Sequence, residues 1–401
     1  MNEFQLSDCC SVITDGDHAA PPKAMEGIPF ITIRNFDGNN INFTNTMYVP
    51  EEYYDNLKSS RKAQKNDILY SVVGSFGIPI LIKDNQKFVF QRHIALLRPN
   101  LNKVVPSYLF HLMRSSSFYA LADVLAVGSA QRTISLSALR KVKITLPSLE
   151  IQAKIGEILS VYDELIELNQ RRIAILEEMA MRTYREWFVH FRFPGHEACE
   201  FENGLPKGWK KESAKYMFDI SIGKTPPRKE CHWFSEGGTG IPWLSISDMK
   251  AGRFIFSSSE GLTENAIAKH NIVLVKEDIV LLSFKLTVGR VSIAAVPMCT
   301  NEAIAHFKTE NQYLREYCYC YLKEFHFETL GSTSSIASSS LNSETIKKMP
   351  FVFPPVEVLE LFNKSAQPLF DEIKVIEKSI LKLQQMRDRF LPQLMSGQLE
   401  I

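Results

Sequence analysis

The sequence GIPFITI at residues 27–33 returns in altered form as GIPWLSI at residues 240–246. Two further pairs of similar segments follow in the same order. KNDI at 65–68 corresponds to KEDI at 276–279, and ITLPSLE at 144–150 corresponds to FVFPPVE at 351–357. The offset drifts from 213 to 211 to 207 residues, as differences in loop length would produce. A period of this size is far too long for a solenoid repeat. The sequence therefore predicts a tandem duplication, with copies at roughly 1–193 and 194–401.

Each copy ends in a sequence typical of a long helix. Apolar residues recur there at alternating spacings of four and three, which is the pattern of a coiled-coil seam. The predicted seam residues are Ile155, Leu159, Tyr162, Ile166, Ile173 and Leu176 in the first copy and Leu369, Ile373, Ile376, Ile380 and Leu383 in the second. A lone helix cannot bury such a stripe, so we expect the two helices to pair with each other or, alternatively, with a partner chain. Pro368 predicts the start of the regular helix or a kink in it.

The segment before each helix has a different pattern. Short β-branched runs separated by turns containing Gly, Asn or Pro predict strands, for example at 67–73 and 80–82 in the first copy and at 272–275, 279–282 and 291–294 in the second. Residues 106–113 and 312–325 are predicted to be helical. Each copy is therefore expected to be an α/β globule followed by a long helix.

Composition excludes several classes of protein. The 401 residues are 45% hydrophobic, in the globular range, and no apolar run is long enough to span a membrane. The N-terminal Met-Asn-Glu-Phe has no signal-peptide character, and the seven cysteines contain no C-x-x-C pair. We therefore expect a reduced, cytoplasmic protein. Although the net charge is only +1, residues 1–148 carry 16 basic and 12 acidic side chains, so charge is unevenly distributed.

A search for catalytic motifs finds none. The run at 223–225, Gly-Lys-Thr, resembles the end of a phosphate-binding loop, but Phe218 occupies the position of the required glycine. His190, His196 and Cys199 match no common zinc spacing, so we predict no metal site there.

Basic, amide and hydroxyl side chains recur instead in the predicted turns. Such side chains on loops hold phosphates and read base edges in DNA. The candidates are Lys23, Arg34, Asn35, Gln91, Arg92, Gln131 and Arg132 in the first copy and Lys224, Arg228, Ser245, Ser247, Lys285 and Arg290 in the second. Taken singly, each of them is better explained as a solvated surface residue.

Four stretches make the whole chain resemble the specificity subunit of type I restriction–modification enzymes. They are the opening ITDGDH…PP…GIPFI (13–31), the central LPSLEIQAKI continuing to REWFVHF (146–191), LPKGW with IGKTP and IPWLSISDM (205–249), and the C-terminal RFLPQLMSGQL (389–399). One departure is Leu359, where the family pattern has a glutamine after its second Pro motif.

The resemblance implies an α+β chain with two tandem α/β target recognition domains, at 1–148 and 194–350. Helical regions at 149–193 and 351–401 would follow them and pair as an antiparallel coiled coil. Each domain would read one half of a split, asymmetric target in double-stranded DNA, with the helices as spacer. Two methyltransferase subunits would dock on the helices and motor–nuclease subunits would join. S-adenosylmethionine, ATP and magnesium would belong to those partners, because this chain itself is expected to be non-catalytic.

Two alternatives remain open on the sequence. A free-standing DNA-binding regulator could have the same fold, or the chain could be a coiled-coil scaffold with no role on DNA. Co-purification of methyltransferase subunits separates the first from a specificity subunit, and sequence-specific DNA protection excludes the second.

Overall fold

A computed structural model of the chain describes residues 2–128, 132–236, 239–250, 252–330 and 341–398. The chain folds into two compact units. Unit 1 consists of residues 1–166 and 383–401, and unit 2 consists of residues 167–382. Two long helices, Leu149–Tyr184 and Val356–Ser396, each contribute one segment to each unit. The four predicted domain boundaries stay a prediction.

The described residues of unit 1 form four small sheets. The largest has four antiparallel strands in the order Cys10–Asp15, Ile94–Pro99, Ile68–Ser71 and Pro79–Leu81. A second sheet has the order Met47–Val49, Ile28–Ile31 and Val89–Phe90, and its last pair is parallel. Strands Asn2–Gln5 and Lys143–Leu146 pair, as do Phe36–Asp37 and Asn40–Ile41. The short helices are Leu6–Cys9, Glu51–Asp55, Pro106–Arg114, Ser116–Leu125 and Leu136–Arg140.

Both faces of the four-stranded sheet in unit 1 are buried, because successive side chains along a strand point to opposite faces. Ile68 and Tyr70 join a core that includes the helical residues Tyr108 and Ile155. Their neighbour Leu69 joins a second core on the opposite face, shared with the three-stranded sheet. The sheet is thus the middle layer of unit 1, between helices and a smaller sheet.

Unit 2 repeats this strand order with one additional strand in each of its two larger sheets. Its main sheet runs Asp219–Ile222, Ile304–Lys308, Val280–Ser283, Val291–Ala294 and Phe254–Ile255. Its second sheet runs Phe234–Glu236, Glu260–Leu262, Ile241–Leu244 and Cys299–Thr300, with the last pair again parallel. Lys210–Ser213 pairs with Pro350–Phe353, and Phe201–Glu202 with Leu205–Pro206. The short helices are Glu264–His270, Arg315–Glu324 and Ser343–Lys348.

The duplication extends to individual hydrogen bonds. In unit 1, the Ser71 hydroxyl donates to the Ser75 carbonyl (2.8 Å) and accepts from the Ile78 amide (2.9 Å). In unit 2, the Ser283 hydroxyl donates to the Thr287 carbonyl (2.6 Å) and accepts from the Arg290 amide (3.0 Å). The two hairpins therefore have the same turn geometry although their side chains differ.

The two long helices pair in antiparallel fashion within each unit. In unit 1, Asp163 binds Arg387 (2.7 Å), while Leu394 joins the core that contains Leu159. In unit 2, Arg172 binds Glu372 (2.6 Å). Later in the first helix, Tyr184 packs its ring against Phe362 near the start of the second. Residues advance along one helix as they recede along the other, which confirms the predicted α+β fold with an antiparallel helix pair.

Two details differ from the sequence-based prediction. The second long helix begins at Val356, so Pro368 lies inside it and does not start it. Residues 272–275 form no strand and make a single bridge, Val275 to Met298. Ile272 and Val275 are buried in two different cores, so core packing and not strand pairing accounts for the apolar run.

Candidate nucleic-acid interface

A glycine follows the first strand of the main sheet in each unit and brings two loops into close contact. An added Cβ on Gly16 would collide with the Phe90 carbonyl, and one on Gly223 with the Thr300 carbonyl. The next residue then donates its amide to that same carbonyl, Asp17 to Phe90 (2.9 Å) and Lys224 to Thr300 (2.9 Å). These contacts hold the loop after the first strand against the loop before the neighbouring strand. We call this pair of loops the junction of each unit, around Gly16 and Phe90 in unit 1 and around Gly223 and Thr300 in unit 2.

In unit 2, this junction places several of the predicted DNA-binding residues together. The Lys224 ammonium donates to the His270 carbonyl (2.7 Å), and the Lys224 carbonyl accepts from the Trp243 indole (3.2 Å). The Arg228 guanidinium lies over the rings of Phe234 and Trp243, at 4.4 and 4.5 Å from their centres. Aromatic faces and an adjacent carboxylate therefore fix its orientation.

That carboxylate belongs to Glu260, which binds the Arg228 guanidinium through two hydrogen bonds of 2.8 and 2.9 Å. The paired arrangement raises the pKa of Arg228, chiefly through the Glu260 hydrogen bond. Half of the Arg228 side chain remains exposed. The pair is therefore a fixed, solvent-facing group that can donate and accept hydrogen bonds.

The loop after strand Ile241–Leu244 holds two more predicted residues. The Ser245 hydroxyl donates to Asp248 (2.6 Å) and contacts the Ser247 hydroxyl at 2.6 Å. The Arg290 guanidinium donates to the Ile246 carbonyl (2.6 Å), which ties this loop to the hairpin loop 284–290. Lys285 is half-buried in that hairpin loop.

Glu302 also lies at the unit 2 junction, and sequence reasoning missed it. It accepts a hydrogen bond from the Thr225 hydroxyl. Although burial alone would raise the pKa of Glu302, the Thr225 hydrogen bond and the charges of Lys285 and Arg228 lower it overall. A carboxylate held ionised among basic groups can accept from the amino group of cytosine, as Asp and Glu do in DNA interfaces. A search for basic loops could not detect it.

In unit 1, the predicted residues fall into two groups. Lys23, Arg34 and Arg92 are exposed, and Gln91 is half-buried with its amide 2.9 Å from the His93 ring. The main-chain amide of Gln91 donates to the Ile31 carbonyl, and the main-chain amide of Arg92 donates to the Asp17 carbonyl. Gln91 and Arg92 therefore lie at the unit 1 junction.

Two of the other predicted residues of unit 1, Asn35 and Arg132, are occupied by structural contacts. Asn35 accepts from the Thr32 amide (2.9 Å) and donates to the Asn42 carbonyl (3.0 Å), which shapes its turn. The Arg132 guanidinium donates to both the side chain (2.7 Å) and the carbonyl (2.5 Å) of Asp123. Gln131 lies outside the described residues.

Unit 1 has its own acidic group, which the sequence did not reveal. Asp17 accepts from the Tyr53 hydroxyl (2.9 Å) and lies 3.4 Å from the Arg61 guanidinium. Asp15 lies 3.7 Å from the same guanidinium and 2.8 Å from the His18 ring. The two junctions therefore have the same backbone hydrogen bonds but different side-chain donors and acceptors.

The predicted seam residues differ in burial. Ile155, Leu159, Ile166 and Ile173 of the first helix are buried, as are Ile373, Ile376 and Ile380 of the second. Tyr162, Leu176, Leu369 and Leu383 are half-buried. The buried face of the second helix also includes Phe370 and Glu377, which the four–three spacing does not include. Their burial comes from contacts with the α/β part of unit 2, for instance between Phe370 and Phe254.

Within the described ranges, no group of three or more His, Cys, Asp or Glu side chains could hold a metal ion. The cysteines there are all free. Over the same ranges, no helix combines the length and apolar character needed to cross a bilayer.

Comparison with known proteins identifies the family. The model of the type I restriction modification DNA specificity domain matches residues 1–178 and 206–381. The two matches cover most of the chain, one in each half. The chain belongs to the type I restriction–modification DNA specificity family. The predicted membership is therefore confirmed, and with it the role of a DNA sequence-specificity subunit.

Relatives within this family match over much of their length. The MjaIX specificity subunit of Methanocaldococcus jannaschii is 27% identical over 306 residues, which are 74% of this chain and 70% of that protein. The putative MjaX specificity subunit of the same organism is 24% identical and aligns with 99% of this chain and 93% of its own. The S subunit of M. genitalium has the same fold, with a TM-score of 0.58 at 16% identity over 98% of this chain and 95% of that one.

Proposed function

We propose that the α/β part of each unit reads one half of a split, asymmetric DNA target. The observation that carries this proposal is the pair of junctions. They have the same backbone hydrogen bonds after Gly16 and Gly223, yet different side chains at equivalent positions. One scaffold with two sets of donors and acceptors is suited to two different short sequences, because base edges are distinguished by their hydrogen-bond pattern.

In this proposal, the two junctions contact the bases, and the exposed basic side chains around them contact phosphates. Arg92 in unit 1 and Arg228 in unit 2 would contact base edges, while Lys23 and Arg34 would contact the backbone. The long helices would act as the spacer between the two readers, as in half-site recognition generally. The chain would work in the cytoplasm, where the DNA of its host is accessible.

An exposed apolar stripe on the first long helix supports a docking site for partner subunits. Its members are more than a third exposed and flank the predicted seam: Ile151, Ile158, Val161 and Leu165 in unit 1 and Leu168, Ile175 and Met179 in unit 2. Exposed apolar patches of this kind mark protein interaction sites. We assign the stripe to methyltransferase subunits, two per chain, with motor–nuclease subunits joining for cleavage. S-adenosylmethionine, ATP and magnesium would bind to those partners, and methylation, ATP hydrolysis and cleavage would be their activities.

A domain exchange tests the proposal. Residues 1–148 are replaced by the corresponding domain of a relative with a known target, and methylated adenines are mapped in cells that carry the full system. We expect one half of the target to change and the other half to stay. If both halves change, or neither does, the assignment of one reader to each half is wrong.

A second experiment tests the spacer. One heptad is inserted at matched positions in both long helices, which preserves the register of the pair. We expect the gap between the two halves of the target to change while each half-sequence stays the same. An unchanged gap would contradict the spacer role.

A further inference from the structure

The hairpin loop 284–290 of unit 2 contains a strained residue with an exposed apolar side chain. Leu286 has a φ angle of +60°, in the left-handed region. The Thr287 amide donates to the Lys285 carbonyl (2.7 Å), which closes a three-residue turn centred on Leu286. A γ-turn with positive φ is the rare, strained form. A left-handed conformation costs a side-chain-bearing residue roughly 1–2 kcal/mol.

The surrounding contacts hold this turn in place. The Ser283 hydroxyl donates to the Thr287 carbonyl (2.6 Å), and the Gly289 amide donates to the Ser283 carbonyl (3.0 Å). The Phe284 amide donates to the Ala303 carbonyl (2.9 Å), next to Glu302. A strained residue persists only where its surroundings over-determine it, and such residues concentrate at functional sites.

Unit 1 provides the matched comparison. Its equivalent hairpin has the same serine-centred turn, and the residue at the position of Leu286 is Gly74, with a φ angle of +71°. Glycine adopts this conformation at no steric cost. Unit 2 therefore has a leucine where glycine is the residue that the backbone favours.

The Leu286 side chain gains nothing from packing inside unit 2, since 83% of it is exposed. Its neighbours are polar, with Lys285 before it and Thr287 after it. The Arg290 guanidinium ties the same hairpin to the Ser245–Asp248 loop at the junction. The tip thus projects one aliphatic group from a fixed loop within the set of residues assigned to DNA.

We propose that Leu286 is a specificity-determining residue that contacts the C5-methyl group of a thymine in the second half of the target. This inference rests on the proposed function of unit 2. The thymine methyl is the apolar group that the major groove presents, and aliphatic side chains read it by contact. A rigid tip is suited to this role, because the backbone that carries the side chain does not need to be ordered on binding.

The test uses the complete complex with methyltransferase subunits and a duplex carrying the mapped target. Each thymine of the second half-site is replaced in turn by deoxyuridine, which removes only the methyl group. We expect one replacement to weaken binding by the wild-type complex about fourfold, the effect of burying one methyl-sized group. Leu286→Asn and Leu286→Gly complexes should bind the thymine and uracil duplexes equally. Both substitutions suit positive φ, so the turn is kept.

Tyr216→Ala is the matched control, because Tyr216 is an exposed apolar residue preceding strand Asp219–Ile222, whose far end leads into Gly223. It should discriminate thymine from uracil as the wild type does. The proposal is overturned if every uracil replacement affects wild type and Leu286→Asn alike, or if the second half-site contains no A·T pair. The proposal is also overturned if the variants, relative to the wild type, lose the same factor of affinity on the thymine duplex and on the uracil duplex. That result indicates that Leu286 wedges between base pairs. If the wild-type complex does not distinguish its target from a scrambled duplex, the proposed function itself is wrong.

Discussion

Units 1 and 2 share a strand order but attach their α/β parts to the long helices by different means. In unit 1, the Gln152 side chain accepts from the Val105 amide (2.9 Å) and donates to the Pro147 carbonyl (2.9 Å). The equivalent residue in unit 2 is Leu359, which is buried and has no polar side-chain atoms. This is the position at which the sequence departs from the family pattern.

Unit 2 compensates with buried charges. Arg253 donates to Glu177 of the first helix (2.5 and 2.7 Å), and Glu177 also accepts from the Tyr319 hydroxyl (2.6 Å). Glu377 of the second helix accepts from the main-chain amides of Arg253 and Phe254, both at 2.7 Å. Burial raises the pKa of Glu377, and these hydrogen bonds offset only part of that effect.

Unit 1 also uses an ionic link, in a simpler form. Asp163 of the first helix binds Arg114 (2.6 Å) and Arg387 (2.7 Å). The comparison teaches that the duplicated fold depends on backbone features common to both units, such as the turns at Ser71 and Ser283. The attachment to the helices is free to change, provided that each buried polar group is paired.

The largest expected effect comes from breaking the Arg253–Glu177 link of unit 2. Arg253→Met should destabilise unit 2 by about 3 kcal/mol, because it leaves the buried Glu177 without its main partner. Hydrogen exchange in urea, followed separately for amides of the two units, measures the effect. Amides of strand Ile68–Ser71 in unit 1 should be protected as in the wild type.

The control for this substitution is Arg172→Met. Arg172 pairs with Glu372 on the helix surface, where both side chains are about half exposed, so the loss should stay below about 1 kcal/mol. Equal effects of the two substitutions would show that the buried cluster has no special role in unit 2.

A second difference lies beneath the junctions. His306 of unit 2 is fully buried and bridges the hydroxyls of Thr300 (2.8 Å) and Ser221 (3.0 Å). In unit 1, the buried Leu96 occupies the equivalent position. Burial, with a smaller contribution from Lys308, lowers the pKa of His306 to about 3.

His306 therefore predicts a pH dependence confined to unit 2. A histidine with a lowered pKa is neutral in the folded state, so its stabilising effect is complete above the unfolded pKa of about 6.5. Stability should fall by about 1.4 kcal/mol per pH unit below 6.5, or about 2 kcal/mol at pH 5. His306→Leu, which copies unit 1, should remove this slope from unit 2 amides in hydrogen exchange.

The exposed His190 serves as the control, because His190→Leu should leave the slope in place. A slope that persists in His306→Leu would mean that other groups govern the acid sensitivity of unit 2. The second buried histidine, His111, belongs to unit 1, and burial lowers its pKa to about 4. Its contribution is separated by following amides of each unit.

The sequence predicted the duplication, the long helices and several strands, because those depend on local spacing. It singled out Arg92, Arg228 and Arg290 as candidate DNA-binding residues in loops, since basic loop residues give a visible pattern. It could not identify Glu302 or Asp17, because an acidic loop residue has no distinctive signal until its basic neighbours are known. Nor could it show that Arg132 is tied to Asp123, or that Arg253 reaches a helix 76 residues earlier in the chain.

The smallest expected effect comes from exchanging the hairpin residues of the two units. Leu286→Gly relieves a left-handed leucine, worth about 1–2 kcal/mol, and adds the chain entropy of glycine, which costs about 0.5–1 kcal/mol. We therefore expect unit 2 to become more stable by about 0.5 kcal/mol. Gly74→Leu should have the opposite sign in unit 1 and cost at least as much. Thermal unfolding followed with each variant measures both changes. Stabilisation by Leu286→Gly together with loss of thymine discrimination would mean that the strain at Leu286 is maintained for recognition, whereas destabilisation would mean that the leucine serves the fold.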